Sequence, residues 1–284
     1  MPGTEYFKKS AKHTLKPRWG GAITVVTVGF CVTILLMMAE QLTDMLLGFT
    51  LTEQTLIESG NLRAFYMEMF GQPLKAALYF GVSALFLLLG IIVRAPISLG
   101  IKRYFWGVTA GGPETAGTAF DFFASFKMYF RAVRMELYIF ARILLRAIIL
   151  LIPGTALIWL SAYAGDYQVL ALLFGYLAYI GAAAVMIPEA LKYYMAGYIL
   201  ANDDEISPSG AIKKSIKMTK GTKGSYFILM LSFIGWWLLC IFILPMMYVM
   251  PYTGAANAHY AHYVMREYAK KNAAENGRTQ IIVY

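Results

Sequence analysis

Five charged residues fall inside or beside long apolar runs: Arg94, Arg142, Arg146, Glu189 and Lys192. A charge at membrane depth costs at least ~2.5 kcal/mol by insertion scales, so such residues are functional candidates by default. Together they form a candidate polar cluster. The plainer reading is structural. All five map to one half of their helices, where arginine and lysine can carry their charged heads to the headgroup layer on long apolar stems. Glu189 and Lys192, spaced i, i+3, can neutralise each other. An ionised Glu189 alone in hydrocarbon is too costly, so it is expected to be paired or protonated, with Lys192, Arg142 or Arg146 as partners.

Other constellations are weaker. His259 and His262 are also spaced i, i+3, with Glu267 nearby and His13 the remaining histidine. A metal site needs three or four arranged ligands, so two sheltered, hydrogen-bonded histidines are favoured and no metal is expected. Glu40 and Asp44 share a helical face without a visible third ligand. Cys31 and Cys240 both sit in apolar runs, as small buried hydrophobes do. No G-x-S-x-G, H-E-x-x-H, Walker loop or C-x-x-C occurs. The expectation is therefore no enzyme, no catalytic residues and no cofactor. Gly175, Ala178 and Ala182 recur at i, i+3, i+7, a spacing that lets helices approach closely.

The elements that carry these residues are legible from composition. Hydrophobic residues make up 59% of the 284-residue chain and charged residues 14%, against roughly 25% charged in soluble domains. Gly21 to Ala39 contains no charge, and roughly 18 such residues suffice for a spanning helix. The fold class expected is all-α: a polytopic membrane helix bundle of about six transmembrane helices with interfacial amphipathic helices. The spans run near 20–47, 74–99, 138–164, 167–201 and 226–244, with a weaker sixth from Pro245 to about Met265. Pro153, Pro188 and Pro245 are expected helix breaks. No cleaved signal peptide is expected, because the first apolar run is too long for one.

Two amphipathic stretches flank the spans. In residues 1–19, Phe7, Ala11 and Leu15 recur at i, i+4, i+8, which suggests a helix lying on the membrane surface. Residues 118–137 place Phe122, Phe126, Tyr129 and Phe130 on one arc bordered by Lys127, Arg131 and Arg134, the pattern of an in-plane interfacial helix. The bundle is expected over 20–266 and a tail over 267–284.

The net charge is +9. The bases flank apolar spans, so the partner implied is the lipid bilayer, with anionic headgroups on the cytoplasmic face, rather than nucleic acid. Placing the N-terminus inside puts the N-terminal bases, Lys102, Arg103, the lysines from Lys213 to Lys223, Lys270 and Lys271 on one side. Arg63 and Lys75 alone fall opposite, in or beside the acidic stretch 50–72. A multi-pass protein of the plasma membrane with a cytoplasmic N-terminus is expected.

Four stretches resemble the bacterial integral membrane proteins grouped as domain of unknown function 975. They are the basic entry Phe7-Lys8-Lys9 through Leu15-Lys16 to Trp19-Gly20, and the segment FFASFKMY from Phe122 to Tyr129. The others are the connection YILANDDEISPSGAIKKSIKMTK from Tyr198 to Lys220, and LSFIGWWLL from Leu231 to Leu239 followed by Pro251-Tyr252. Where the family pattern has Ile-Pro-Gly, this chain has Ile187-Pro188-Glu189. The resemblance implies a membrane protein and supplies no activity.

Function is expected along one of three lines, the weakest an intramembrane enzyme, because nothing pairs a nucleophile with a base. The first is a non-enzymatic membrane component that organises lipid or assists other membrane proteins. The second is a small transporter or channel with a polar site near the proline-broken spans. No convincing internal repeat is present, and the buried charges cluster near one side, so the first is preferred.

Overall fold

A computed structural model describes residues 2–49, 71–161 and 163–275. The acidic stretch over 50–70 and the end of the tail, 276–284, lie outside the described residues. Within them the regular structure is helical: α1 Thr4–Leu15, α2 Trp19–Leu46, α3 Pro73–Ala110, a 3-10 helix Ala116–Phe123 and α4 Phe126–Ser161. A 3-10 turn, Gly165–Tyr167, leads into α5 Gln168–Leu191 and α6 Tyr194–Asn202. Then come α7 Pro208–Met218, α8 Lys223–Leu231, α9 Ile234–Leu239 and α10 Ile243–Glu275.

The protein is an all-α membrane bundle. Among the described residues four helical runs are long and apolar enough to cross a bilayer: Trp19–Leu46, Pro73–Ala110, Phe126–Ser161 and Gly165–Asn202. A fifth arises if α7 and the α8–α9 run, bent by 89° to each other, count as one span. By length and composition alone, the described residues thus hold four or five such runs, beside the about six spans expected. The stretch expected as a fifth span is broken into short α8 and α9. The expected sixth lies within α10, where Thr253, Asn257, His259 and His262 interrupt the apolar pattern; this helix is buried in the bundle, with Tyr252, Ala255, Ala258 and Ala261 inaccessible.

The prolines fall differently from expectation. Pro245 lies in the first turn of α10, where a missing N–H leaves no intrahelical bond unmade, so it breaks nothing. Pro153 and Pro188 lie inside α4 and α5, which continue through them. The break expected at Pro188 comes just past Leu191, at Lys192–Tyr193. The Lys192 carbonyl left at that break accepts from Ser215 Oγ at 2.7 Å. A side chain of α7 thereby meets the backbone demand that a lipid environment makes absolute.

Residues 118–137 do not form one interfacial helix. A 3-10 helix ends at Phe123, Ala124 and Ser125 intervene, and α4 begins at Phe126. The 3-10 period brings Ala119 and Phe122 onto one inward stripe, so Phe122 is 0% exposed rather than lipid-facing. Phe126 is 85% exposed, and Phe130, Lys127 and Arg134 are also exposed. Tyr129 is half-buried, its hydroxyl donating to the Ile92 carbonyl at 3.3 Å. Arg131 turns inward and is 4% exposed. It donates to the carbonyls of Asp203 at 2.7 Å and Ile206 at 2.8 Å, and lies 3.7 Å from the Asp204 carboxylate. Asp203 Oδ1 accepts from the backbone of Glu205 and Ile206, and Ser207 caps α7 by accepting from Gly210 N–H. These bonds fix the α6–α7 connection.

The apolar face of α1 also points elsewhere than expected. Phe7, Ala11 and Leu15 pack into protein, with the Phe7 ring 5.1 Å from Tyr260 and 5.8 Å from Tyr263 on α10. Lys8 Nζ donates to the Ser232 carbonyl at 2.6 Å, where α8 stops short of α9, and sits 4.5 Å over the Phe233 ring. Burial there, with repulsion from Lys12, lowers the Lys8 pKa from its ordinary value. An amphipathic helix that finds buried aromatic partners and an orphaned carbonyl gains more from protein than from the bilayer surface.

Candidate functional site: an intramembrane cleft

The helix α3 carries Arg94, Ser98 and Lys102 at four-residue spacing, which puts them along one side of the helix. That stripe lines a cleft of about 850 Å³, within the ~300–1,000 Å³ typical of ligand sites. Its walls come from α2 with Val26, Gly29, Phe30 and Thr33, from α4 with Glu136, Ile139, Phe140 and Ile143, and from α10 with Met246, Met250, Thr253 and Asn257. Tyr198 of α6 and Trp237 of α9 complete it.

Local sequence explains why a space persists there. Gly29 leaves room for Ile101, whose side chain lies 2.8 Å from where a Cβ would stand; Gly254 likewise admits the Phe105 ring at 2.6 Å. Small residues draw α2, α3 and α10 together at the basic end of the bundle, while the bulky side chains on either side of it hold the helices apart. Most lining groups are apolar. Thr33 and Thr253 return their hydroxyls to the carbonyls of Gly29 and Val249 in their own helices, at 2.9 and 2.8 Å. Their polarity is thus spent internally.

Three lining groups are different. Arg94 is exposed and donates from Nε to the Gly90 carbonyl at 3.1 Å; among the described residues no carboxylate lies within 4.0 Å of it. Glu136 is half-buried and likewise makes no ion pair among the described residues. Asn257 has a buried side-chain oxygen, Oδ1, with no hydrogen-bond partner among the described residues. An unmade bond at a buried acceptor costs ~1–3 kcal/mol, so Oδ1 calls for a donor that these residues do not provide.

The five-residue polar cluster read from sequence divides. Glu189 meets both Arg146 and Lys192, joining α4 to the end of α5. Arg142 is exposed one turn before Arg146 on α4. Arg94 stands apart, in a cleft that none of the other four lines. The residues that join Arg94 instead are Ser98, Lys102, Glu136 and Asn257. Their signal in the sequence was the four-residue polar spacing along α3, and on α10 the matching Thr253–Asn257 pair. The two histidines of α10 separate: His259 pairs with Thr14 Oγ1 at 2.9 Å, and His262 donates to the Trp106 carbonyl at 3.2 Å while stacking on its ring. Among the described residues no three His, Cys, Asp or Glu side chains are placed to hold a metal.

The arrangement can therefore receive an elongated, largely apolar molecule with a polar end. The walls suit a chain of methylenes, and the few polar groups suit an anion and a hydrogen-bond donor. No curated protein and no solved structure matches the chain. A family model described as "Protein of unknown function (DUF975)" matches residues 1–267, nearly the whole length. The chain belongs to the DUF975 family.

Proposed function

We propose that this protein is a non-catalytic component of the bacterial plasma membrane that holds lipid within its bundle. The observation that carries the reading is the cleft between α2, α3, α4 and α10, apolar over most of its lining and bounded on three sides by helices long and apolar enough to span a membrane, α2, α3 and α4. In a bilayer such a space would open toward lipid tails, which suit its apolar walls. The non-catalytic part rests on the missing signature motifs.

The orientation proposed has the basic end of the bundle in the cytoplasm. Lys102, Arg103 and the lysines of α7 and its flank support it through the positive-inside rule. A cysteine replacing exposed Lys217 should be shielded from an impermeant thiol reagent in intact cells, and one replacing Ser59 should be labelled.

Lipid occupancy is tested with a fluorophore on Thr33→Cys, in a chain with Cys31 and Cys240 replaced by serine. In vesicles, brominated lipid should quench it about as strongly as a fluorophore on exposed Leu145, and aqueous iodide should not. Strong iodide quenching with weak lipid quenching would instead favour a small transporter or channel.

A further inference from the structure

We propose that the cleft selects phospholipids with an anionic, hydroxyl-bearing headgroup, the phosphate held between Arg94 and Lys102 and the hydroxyl on Asn257. This rests on the reading that lipid occupies the cleft and adds what the lipid must be. The lining holds two cations, Arg94 and Lys102, against one carboxylate, Glu136, so its formal charge is +1 by that count. A zwitterionic headgroup leaves that surplus uncompensated in an apolar setting, and an anionic one cancels it.

The spacing suits a phosphate. Arg94 and Lys102 lie eight residues apart, so their backbones are separated by about 12 Å along the helix, with Ser98 midway at about 6 Å from each. In the structure Arg94 lies against Gly90 and Lys102 against Gly197; both side chains are long and flexible enough to swing onto an anion at the level of Ser98, whose hydroxyl is a further donor. Arg94 has its guanidinium engaged through Nε alone, with a backbone carbonyl of its own helix. Its remaining donors suit phosphate oxygens.

Asn257 supplies the second, independent observation. It lines the same cleft from α10, and its buried Oδ1 lacks a donor among the described residues. An acceptor beside a phosphate site calls for a headgroup that donates. A hydroxyl does so without neutralising the phosphate. An ammonium also donates, but it cancels the charge that Arg94 and Lys102 select. The chemistry therefore points to a glycerol-type phosphodiester rather than a choline or ethanolamine one.

The test is native mass spectrometry of the full chain in detergent, with lipids competing pairwise. Phosphatidylglycerol should outcompete phosphatidylcholine and phosphatidylethanolamine by about fivefold or more, the effect of roughly one basic residue on an anionic lipid. Arg94→Gln should bring that ratio close to one, Arg94→Lys should keep part of it, and Glu136→Gln should raise it. Phosphatidylmethanol carries the same charge without the hydroxyls; it should bind more weakly than phosphatidylglycerol to the native chain and equally to Asn257→Leu. Unfolding curves for each variant show whether it is folded. Parity between phosphatidylglycerol and phosphatidylcholine, or a preference unchanged by Arg94→Gln, overturns the proposal. A Thr33 probe that meets lipid while headgroups bind at parity defeats the selection alone; a probe that meets only water defeats the lipid reading as well.

Discussion

The two halves of α3 show two solvents acting on one helix. From Ala95 to Val108 it is packed on most sides, with Leu99, Tyr104 and Phe105 buried. From Leu74 to Leu89 it presents Leu74, Leu78, Phe80, Leu85 and Leu88 outward. The same division runs through the molecule. The basic end gathers α1, the 3-10 helix, α6, α7 and most of α10 into a core rich in rings. The far halves of α2 and α4, and α5, project from it as arms. In water, arms of this kind would have to be covered. In a bilayer they need no cover, because lipid tails are as apolar as the side chains. Close packing is then required only where the chain carries polar backbone breaks and charges. The basic end supplies both, at the α5–α6 and α8–α9 breaks and at Arg131.

The largest expected effect contrasts the two regions directly. Tyr260 is 1% exposed, meets the Phe7 ring edge-on and the Tyr226 and Tyr194 rings at a tilt, and donates from its hydroxyl to the Thr222 carbonyl at 2.9 Å. Tyr260→Ala should cost about 4 kcal/mol in mixed-micelle unfolding. The α4 arm residue Ile149 is 67% exposed, and Ile149→Ala should change stability by less than about 0.5 kcal/mol. Equal losses at the two positions would erase the distinction.

Arg131→Met comes next. It leaves the carbonyls of Asp203 and Ile206 without their donor, at a cost of about 3 kcal/mol, and the α6–α7 connection should become protease-sensitive. A variant as stable and as resistant as the native chain would show that this clamp does not hold the basic end together. Gly100→Ala tests the contact between α3 and the 3-10 helix. A Cβ there would collide with the Ala119 backbone, and the shift required should cost about 2 kcal/mol. No loss would mean that this contact is looser than the rest of the packed end.

The smallest effect is expected at the base of the α4–α5 arm. Glu189 sits between Arg146 and Lys192, with its side chain partly open. Glu189→Gln should fold normally and lose at most about 1 kcal/mol. Glu189→Leu leaves two cations facing each other and should lose more. The opposite order would make Glu189 something other than a neutralising partner.

Much of this contrast was legible in the sequence, through the features that lipid imposes. Long uncharged runs and the pairing of Glu189 with Lys192 follow from local spacing. What spacing could not show was which solvent an amphipathic face meets. Phe7, Ala11 and Leu15 form an apolar stripe whether it lies on lipid or on Tyr260. Phe122 and Arg131 sit on an arc that exists only if one helical period runs through residues 118–137, and the switch from a 3-10 to an α period at Ala124–Ser125 removes it. The cleft was hidden for a related reason. Arg94 reads as a snorkelling charge until α10 brings Asn257 to the same cleft, a tertiary arrangement of residues far apart in the chain. Polar residues at four-residue spacing inside an apolar helix, as in Arg94, Ser98 and Lys102, were the available sign.

The most direct test of the central claim is an experimental structure of the protein in nanodiscs containing phosphatidylglycerol. The account predicts elongated, chain-like density between α2, α3 and α10, ending in a compact headgroup feature at Arg94, Ser98 and Lys102. A cleft closed by side chains, or one filled with discrete water features along its length, would contradict it.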